Sequence, residues 1–87
     1  MPIVFVPVQM RELTGGVDRF EVTGETLRQA LRSLDEQCPA LVARLRDGDG
    51  IAPGLAVSID GAFAARGLLA KVGPRSEIHF LPAIGGG

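Results

Sequence analysis

The stretch TLRQALRSLDEQC, Thr26 to Cys38, constrains the fold more than any other part of the chain. Leu27, Ala30, Leu31, Leu34 and Cys38 recur at the spacing that lines them along one face of an α-helix. Arg28, Arg32, Asp35 and Glu36 fall mostly on the opposite face. Thr26, followed three residues later by Gln29, fits a capping box, and Pro39 disfavours a helical residue before it. The spacing predicts a helix from about Leu27 to about Gln37. Its apolar stripe must be covered, and the rest of the chain has to supply the cover.

That cover reads as β-structure. Ile3 to Gln9 is rich in Val, Ile and Phe and too short for a stable helix, so it predicts a strand. RELTGG supplies turn chemistry through Gly15 and Gly16, and VDRFEV, Val17 to Val22, predicts a second strand in a hairpin with the first. After the main helix, ALVARL suggests a short extra helical turn and RDGDG a loop. LAVSIDG, Leu55 to Gly61, predicts a strand ending in an Asp-Gly turn. AFAARGLLAKVGPR is irregular or holds a short edge strand, with a turn at Gly73-Pro74. SEIHFLP predicts the last strand, with Ile78 and Phe80 on one face and His79 and Leu81 on the other. The expected class is α+β, one helix on one face of a mixed sheet in the order ββαββ.

Eighty-seven residues make one domain, and a hydrophobic fraction of 46% can supply one modest core. Nine basic and ten acidic residues are scattered along the chain, against the clustered Lys and Arg of a general nucleic-acid or membrane-surface binder. Cys38 is the only cysteine, so no internal disulfide is possible. The N-terminal MPIVFVPVQM has no basic segment before its apolar run and is interrupted by Pro2 and Pro7. Neither a secretory signal nor a membrane span is expected there, and the expected location is cytoplasmic.

Enzymatic chemistry finds little to stand on. His79 is the only histidine and sits in a predicted strand, so no nucleophile–base set can be assembled around it. Cys38 lies on the apolar stripe, where a buried, inert thiol is expected. One Cys and one His far apart in the chain do not make a metal site. DGDG, Asp47 to Gly50, lacks the ligand pattern of a calcium loop, and no Gly-rich phosphate-binding pattern occurs. What remains is the end, LPAIGGG. Glycine has no Cβ, so Gly85, Gly86 and Gly87 form the narrowest peptide that can thread into another protein. Pro82 to Gly87 spans about 20 Å when extended. The reactive group of such a tail is the Gly87 carboxylate, which needs activation with ATP by a separate enzyme. Residues 1–81 are then the body and residues 82–87 a flexible tail.

The pattern resembles the ubiquitin-like β-grasp proteins, and within them the prokaryotic sulfur-carrier family of MoaD and ThiS. The residues that carry the resemblance are RELTGG, GETLRQAL, VSIDG and the end IHFLPAIGGG, spread over nearly the whole chain. The stretch RDGDGIAPG and the chain length are closer to the MoaD-like branch than to the shorter ThiS type. The sequence departs from the family at GPRSEI, where an acidic turn is usual, and at Gly85, where the family usually has another residue.

The resemblance implies a carrier with no active site and no bound cofactor of its own. An E1-like enzyme would use ATP to adenylate Gly87. A sulfur donor would convert the adenylate to a thiocarboxylate, and a sulfur-accepting synthase or transferase would use it. The implied destinations are molybdopterin, thiazole for thiamine, cysteine or methionine, and thiolated tRNA, with a molybdopterin synthase small subunit and a carrier for a sulfur-containing amino acid ranked first. The alternatives are a ubiquitin-like protein modifier and an interaction module whose glycine tail is inert. Strand parity places Ile3, Phe5, His79 and Leu81 on the sheet face away from the helix. With the first and last strands adjacent, Phe5, His79, Leu81 and Ile84 become the expected partner-binding residues.

Overall fold

The computed structural model describes residues 1–83. In chain order the strands and α-helices are β1 (Ile3–Phe5), β2 (Arg19–Glu21), α1 (Leu27–Gln37), α2 (Pro39–Leu45), β3 (Arg46–Asp47), β4 (Gly50–Ile51), β5 (Leu55–Ile59), β6 (Ala62–Phe63) and β7 (Glu77–Pro82). Two 3-10 segments, Val8–Thr14 and Gly67–Leu69, join them. Five strands form one sheet in the order β2-β1-β7-β5-β6, and β3 with β4 forms a separate small hairpin. β1 and β7 run parallel at the centre, while the other pairs are antiparallel. The architecture is the expected α+β β-grasp.

Helix α1 takes the predicted bounds because its signals agree with one another. The Thr26 hydroxyl accepts from the Gln29 backbone N–H at 3.2 Å. The Gln29 side chain in turn accepts from the Glu25 N–H at 2.8 Å, one residue earlier than in a standard capping box. Leu27, Ala30, Leu31 and Leu34 are completely buried and meet Val4, Val57, Ile78 and Phe80 from the sheet. Each fully buried leucine contributes about 1.5–3 kcal/mol relative to an exposed one. Pro39 ends α1 and also opens α2, whose first position tolerates a residue without an N–H. Leu41 and Leu45 of α2 extend the same core. Cys38 packs at its edge with its thiol directed at the Leu13 carbonyl, 3.6 Å away.

Several expected bounds shift. The first strand stops at Phe5 instead of reaching Gln9, because Pro7 has no N–H to pair. The chain turns there into the Val8–Thr14 segment, which buries Met10 and ends on a left-handed Gly15. The second strand is Arg19–Glu21, shorter than Val17 to Val22. RDGDG, expected to be a loop, closes the β3–β4 hairpin.

The Asp60-Gly61 turn joins β5 to β6 with both residues at positive φ, 54° and 86°, matching the twist of a two-residue hairpin. Asp60 also ties this hairpin to the start of β7. Its carboxylate accepts from the Ser76 hydroxyl at 2.7 Å and from the Glu77 N–H at 2.8 Å. These two bonds, the Glu77 N–H first, hold the Asp60 carboxyl below its ordinary range. A depressed folded-state pKa stabilises the fold above the unfolded value of about 3.9, and that contribution fades as pH falls through the folded value. Wild type should therefore exceed Asp60→Asn in Tm at pH 7, with the gap closing below about pH 4. A gap independent of pH would show that the carboxylate's ionisation contributes nothing.

Candidate functional site

The sheet register builds a face across all five strands. Arg19 pairs with Phe5, Phe5 with His79, His79 with Ser58, and Ser58 with Phe63. Side chains in such a transverse row share one face, and here it is the face away from α1. The Phe5 and His79 rings stack with centroids 4.4 Å apart and planes 4° from parallel. The Arg19 guanidinium lies 5.1 Å from the Phe5 centroid, within cation–π range. Arg19 also pairs with Asp18 at 3.2 Å, which lowers the Asp18 pKa and raises that of Arg19. His79 Nε2 stands 3.7 Å from Glu77 Oε1, an ion pair when the imidazole is protonated.

Leu81 sits one step further along β7 on the same face, opposite Ala56. It is 40% exposed, and Phe63 on the edge strand is 72% exposed. Ala56, Phe63, Leu81, Pro82 and Ala83 line a shallow groove. This apolar rim is where the described chain ends. β7 was expected to give way to a tail at Pro82, but Pro82 still pairs with Leu55, and the Ala83 N–H donates to the Gly54 carbonyl at 2.8 Å. That bond places Pro82 at a non-hydrogen-bonded position of the β5 ladder, where its missing N–H costs nothing.

Phe5, His79 and Leu81 thus share one face, Phe5 in direct contact with His79. Ile84, Gly85, Gly86 and Gly87 lie outside the described residues. Sequence reading overlooked Phe63, Ala56, Ser58 and Arg19. The signal for Phe63 was present: a two-residue Asp60-Gly61 turn pairs Ser58 with Phe63, and Val57 inward puts both outward. Among the described residues, no group of His, Cys, Asp and Glu could hold a metal ion, and no helix is long and apolar enough to cross a membrane.

The ThiS family profile matches residues 4–87. The chain belongs to the ThiS family. This ThiS-family chain superposes on a chain of the Amycolatopsis orientalis BexX/CysO complex with a TM-score of 0.89, at 25% identity over 100% of both chains. Mycobacterium tuberculosis CysO matches in fold with a TM-score of 0.85, at 20% identity over 97% of this chain and 100% of that one. Small archaeal modifier protein 1 of Haloferax volcanii is 27% identical, with a TM-score of 0.71, over 99% and 98% of the two chains. No curated protein sequence matches significantly. The chain is a ubiquitin-like protein of the sulfur-carrier and modifier class, and these likenesses do not single out the MoaD-like branch.

Proposed function

We propose that this ThiS-family protein carries sulfur as a thiocarboxylate on Gly87. The observation that supports the reading is a family match unbroken through Gly87, on a fold whose central strand leads directly into that segment. An E1-like partner makes the Gly87 carboxylate attack the α-phosphorus of ATP, releasing pyrophosphate and forming an acyl-adenylate. A sulfide equivalent from a donor enzyme then attacks the acyl carbon, and AMP leaves. The resulting thiocarboxylate is the nucleophile for a synthase that builds a small sulfur-containing product, molybdopterin or a sulfur amino acid. The protein itself positions the carboxyl and catalyses nothing.

The body takes part because the tail is short. Ile84 to Gly87 reaches about 14 Å beyond Ala83 at most. An active site that engulfs Gly87 brings its surface down onto Ala56, Phe63 and Leu81, which form the apolar part of a docking face flanked on one side by Arg19, Glu77 and His79. Leu81→Asp and Phe63→Asp, each on the outward face, should weaken binding of the adenylating enzyme at least about tenfold, the scale of an interface anchor. Their melting temperatures should stay near wild type. A variant that unfolds, or one that binds normally, would show that this face is assigned wrongly.

The deciding experiment is tandem mass spectrometry of the C-terminal peptide from protein purified out of its own host. Sulfur localised to Gly87 is the expected result. Sulfur must be placed on that residue, since replacement of oxygen by sulfur nearly matches the mass gained when a methionine or Cys38 is oxidised. An unmodified Gly87, unchanged after ATP and host lysate are added, would overturn the carrier reading. Gly87 found only in isopeptide linkage to other proteins would establish a modifier.

A further inference from the structure

Beyond Leu81, β7 is held by a hydrogen bond that has a proline next to each partner. Pro53 and Gly54 are the corner of a turn from Ala52 to Leu55, closed by the Leu55 N–H donating to the Ala52 carbonyl at 3.2 Å. Pro53 fixes the second position and Gly54, at φ 83°, takes the third, the pattern of a type II turn. The turn is tied to the end of α2, since the Ala52 N–H donates to the Leu45 carbonyl at 2.9 Å. The Gly54 carbonyl is thus presented from a rigid corner, and it accepts from the Ala83 N–H at 2.8 Å. Hydrogen-bonded pairs alternate along an antiparallel ladder, so the next one inward is Ala56–Leu81. Pro82, between them, has no N–H to offer. Losing the Ala83 bond therefore releases Pro82 and Ala83 in one step, about 7 Å of chain. With the bond made, Gly87 reaches about 14 Å beyond Ala83; with it broken, it reaches about 20 Å beyond Leu81.

We propose that the bond from Ala83 to Gly54 is a clamp that fixes how deeply the chain end inserts into its activating enzyme, with Gly54 the positioning residue. The inference rests on the activation of Gly87 proposed above. Pro82 and Ala83 line the same groove as Ala56, Phe63 and Leu81, so a partner seated there covers the clamp as well. A seated partner opposes peeling of these two residues, and the Gly87 carboxyl carbon is held to one reach from the sheet. Without the clamp the chain end has two lengths, and binding must select the productive one, which raises KM. Pro82 sharpens the choice, because a residue with an N–H at that position would add a further grip on the strand end.

The test is a rescue. Wild type, Ala83→Pro and Ala83→Ser are each prepared with and without Gly87, and pyrophosphate release is measured with ATP and the host's purified adenylating enzyme. Ala83→Pro removes the N–H, and its ring keeps the strand end away from the Gly54 carbonyl. In the full-length chain it should raise KM about threefold to tenfold, the worth of one backbone hydrogen bond, with kcat within about twofold of wild type. Deleting Gly87 should cost about 100-fold or more in wild type and in Ala83→Ser, which retains the N–H. In Ala83→Pro the same deletion should cost less than about tenfold, because the released positions 82 and 83 supply about 6 Å against about 3.5 Å removed. Equal losses in the three backgrounds, or a rescue by Ala83→Ser as well, would overturn the proposal. Amide exchange in the free protein reads the bond itself: the Ala83 N–H should be protected, and exchange at the rate of an unstructured peptide would overturn the clamp too. No pyrophosphate from wild type, with the Ala83 amide protected, would instead count against the carrier reading.

Discussion

Removal of Gly86 and Gly87 together is expected to abolish sulfur transfer and leave the fold untouched. Gly86 and Gly87 have no side chain to contribute to a core, and the described residues bury one that runs from Val4 and Leu27 to Ile78. The proposed carrier function, by contrast, depends on where one carboxyl carbon sits. Each residue removed draws that carbon back by about 3.5 Å, and a misplacement of 1 Å in an active site can cost about 100-fold. Deleting Gly87 alone still leaves a Gly-Gly end, so it isolates reach from composition. A loss of at least about 100-fold is expected there too if, as proposed, a partner enzyme docks against Phe63 and Leu81 and so cannot follow the shortened tail. The measurement is thiocarboxylate yield in a reconstituted reaction with ATP, alongside thermal melts of both truncations. Full activity after the single deletion would show that the third glycine is slack and that the docking rim does not set the depth of insertion.

The second large effect is expected at Gly24, and it concerns the fold. Gly24 has φ +140° and lies against the first turn of α1. A Cβ there would stand 2.7 Å from the Gln29 Cβ and 2.8 Å from the Ala30 backbone nitrogen. The second contact is with backbone that cannot rotate away. Relief requires moving either the loop or the helix start, which carries the Thr26 cap and the Leu27–Ala70 hydrogen bond. Backbone strain of about 1–3 kcal/mol adds to overpacking of about 1–3 kcal/mol. A domain of this size has on the order of 4–13 kcal/mol in total. Gly24→Ala should therefore lower the melting temperature by roughly 10 °C or more. Gly54→Ala is the control, because Gly54 also has positive φ, +83°, but its Cβ would meet nothing within 4 Å. Equal losses for the two variants would assign the whole effect to φ and none to the contact.

The element pattern was legible because local signals agreed. The Leu27–Leu34 stripe, the Thr26–Gln29 cap and Pro39 all point to the same helix, and the Asp-Gly turn marks the end of β5, while AFAARGLLAKVGPR leaves open whether a strand follows it. Where the reading slipped, a local signal met a competing one. Ile3 to Gln9 has strand composition, but Pro7 withdraws a donor, and the 3-10 segment that follows buries Met10. RDGDG looks like loop, yet its ends pair because α2 delivers Arg46 beside Ile51.

Residue chemistry and spacing alone therefore determined the class, the amphipathic helix, the absence of an internal disulfide and the glycine end on which the carrier reading depends. These properties are local, or follow from composition, and no distant contact can alter them. The tertiary structure decided which residues meet: the Arg19–Phe5–His79–Ser58–Phe63 row, the Phe5–His79 stack, the Asp60 tie to β7 and the bond from Ala83 to Gly54. Each joins segments far apart in the chain. Their register is set by burial of the opposite sheet face against α1, a choice made by the whole core at once.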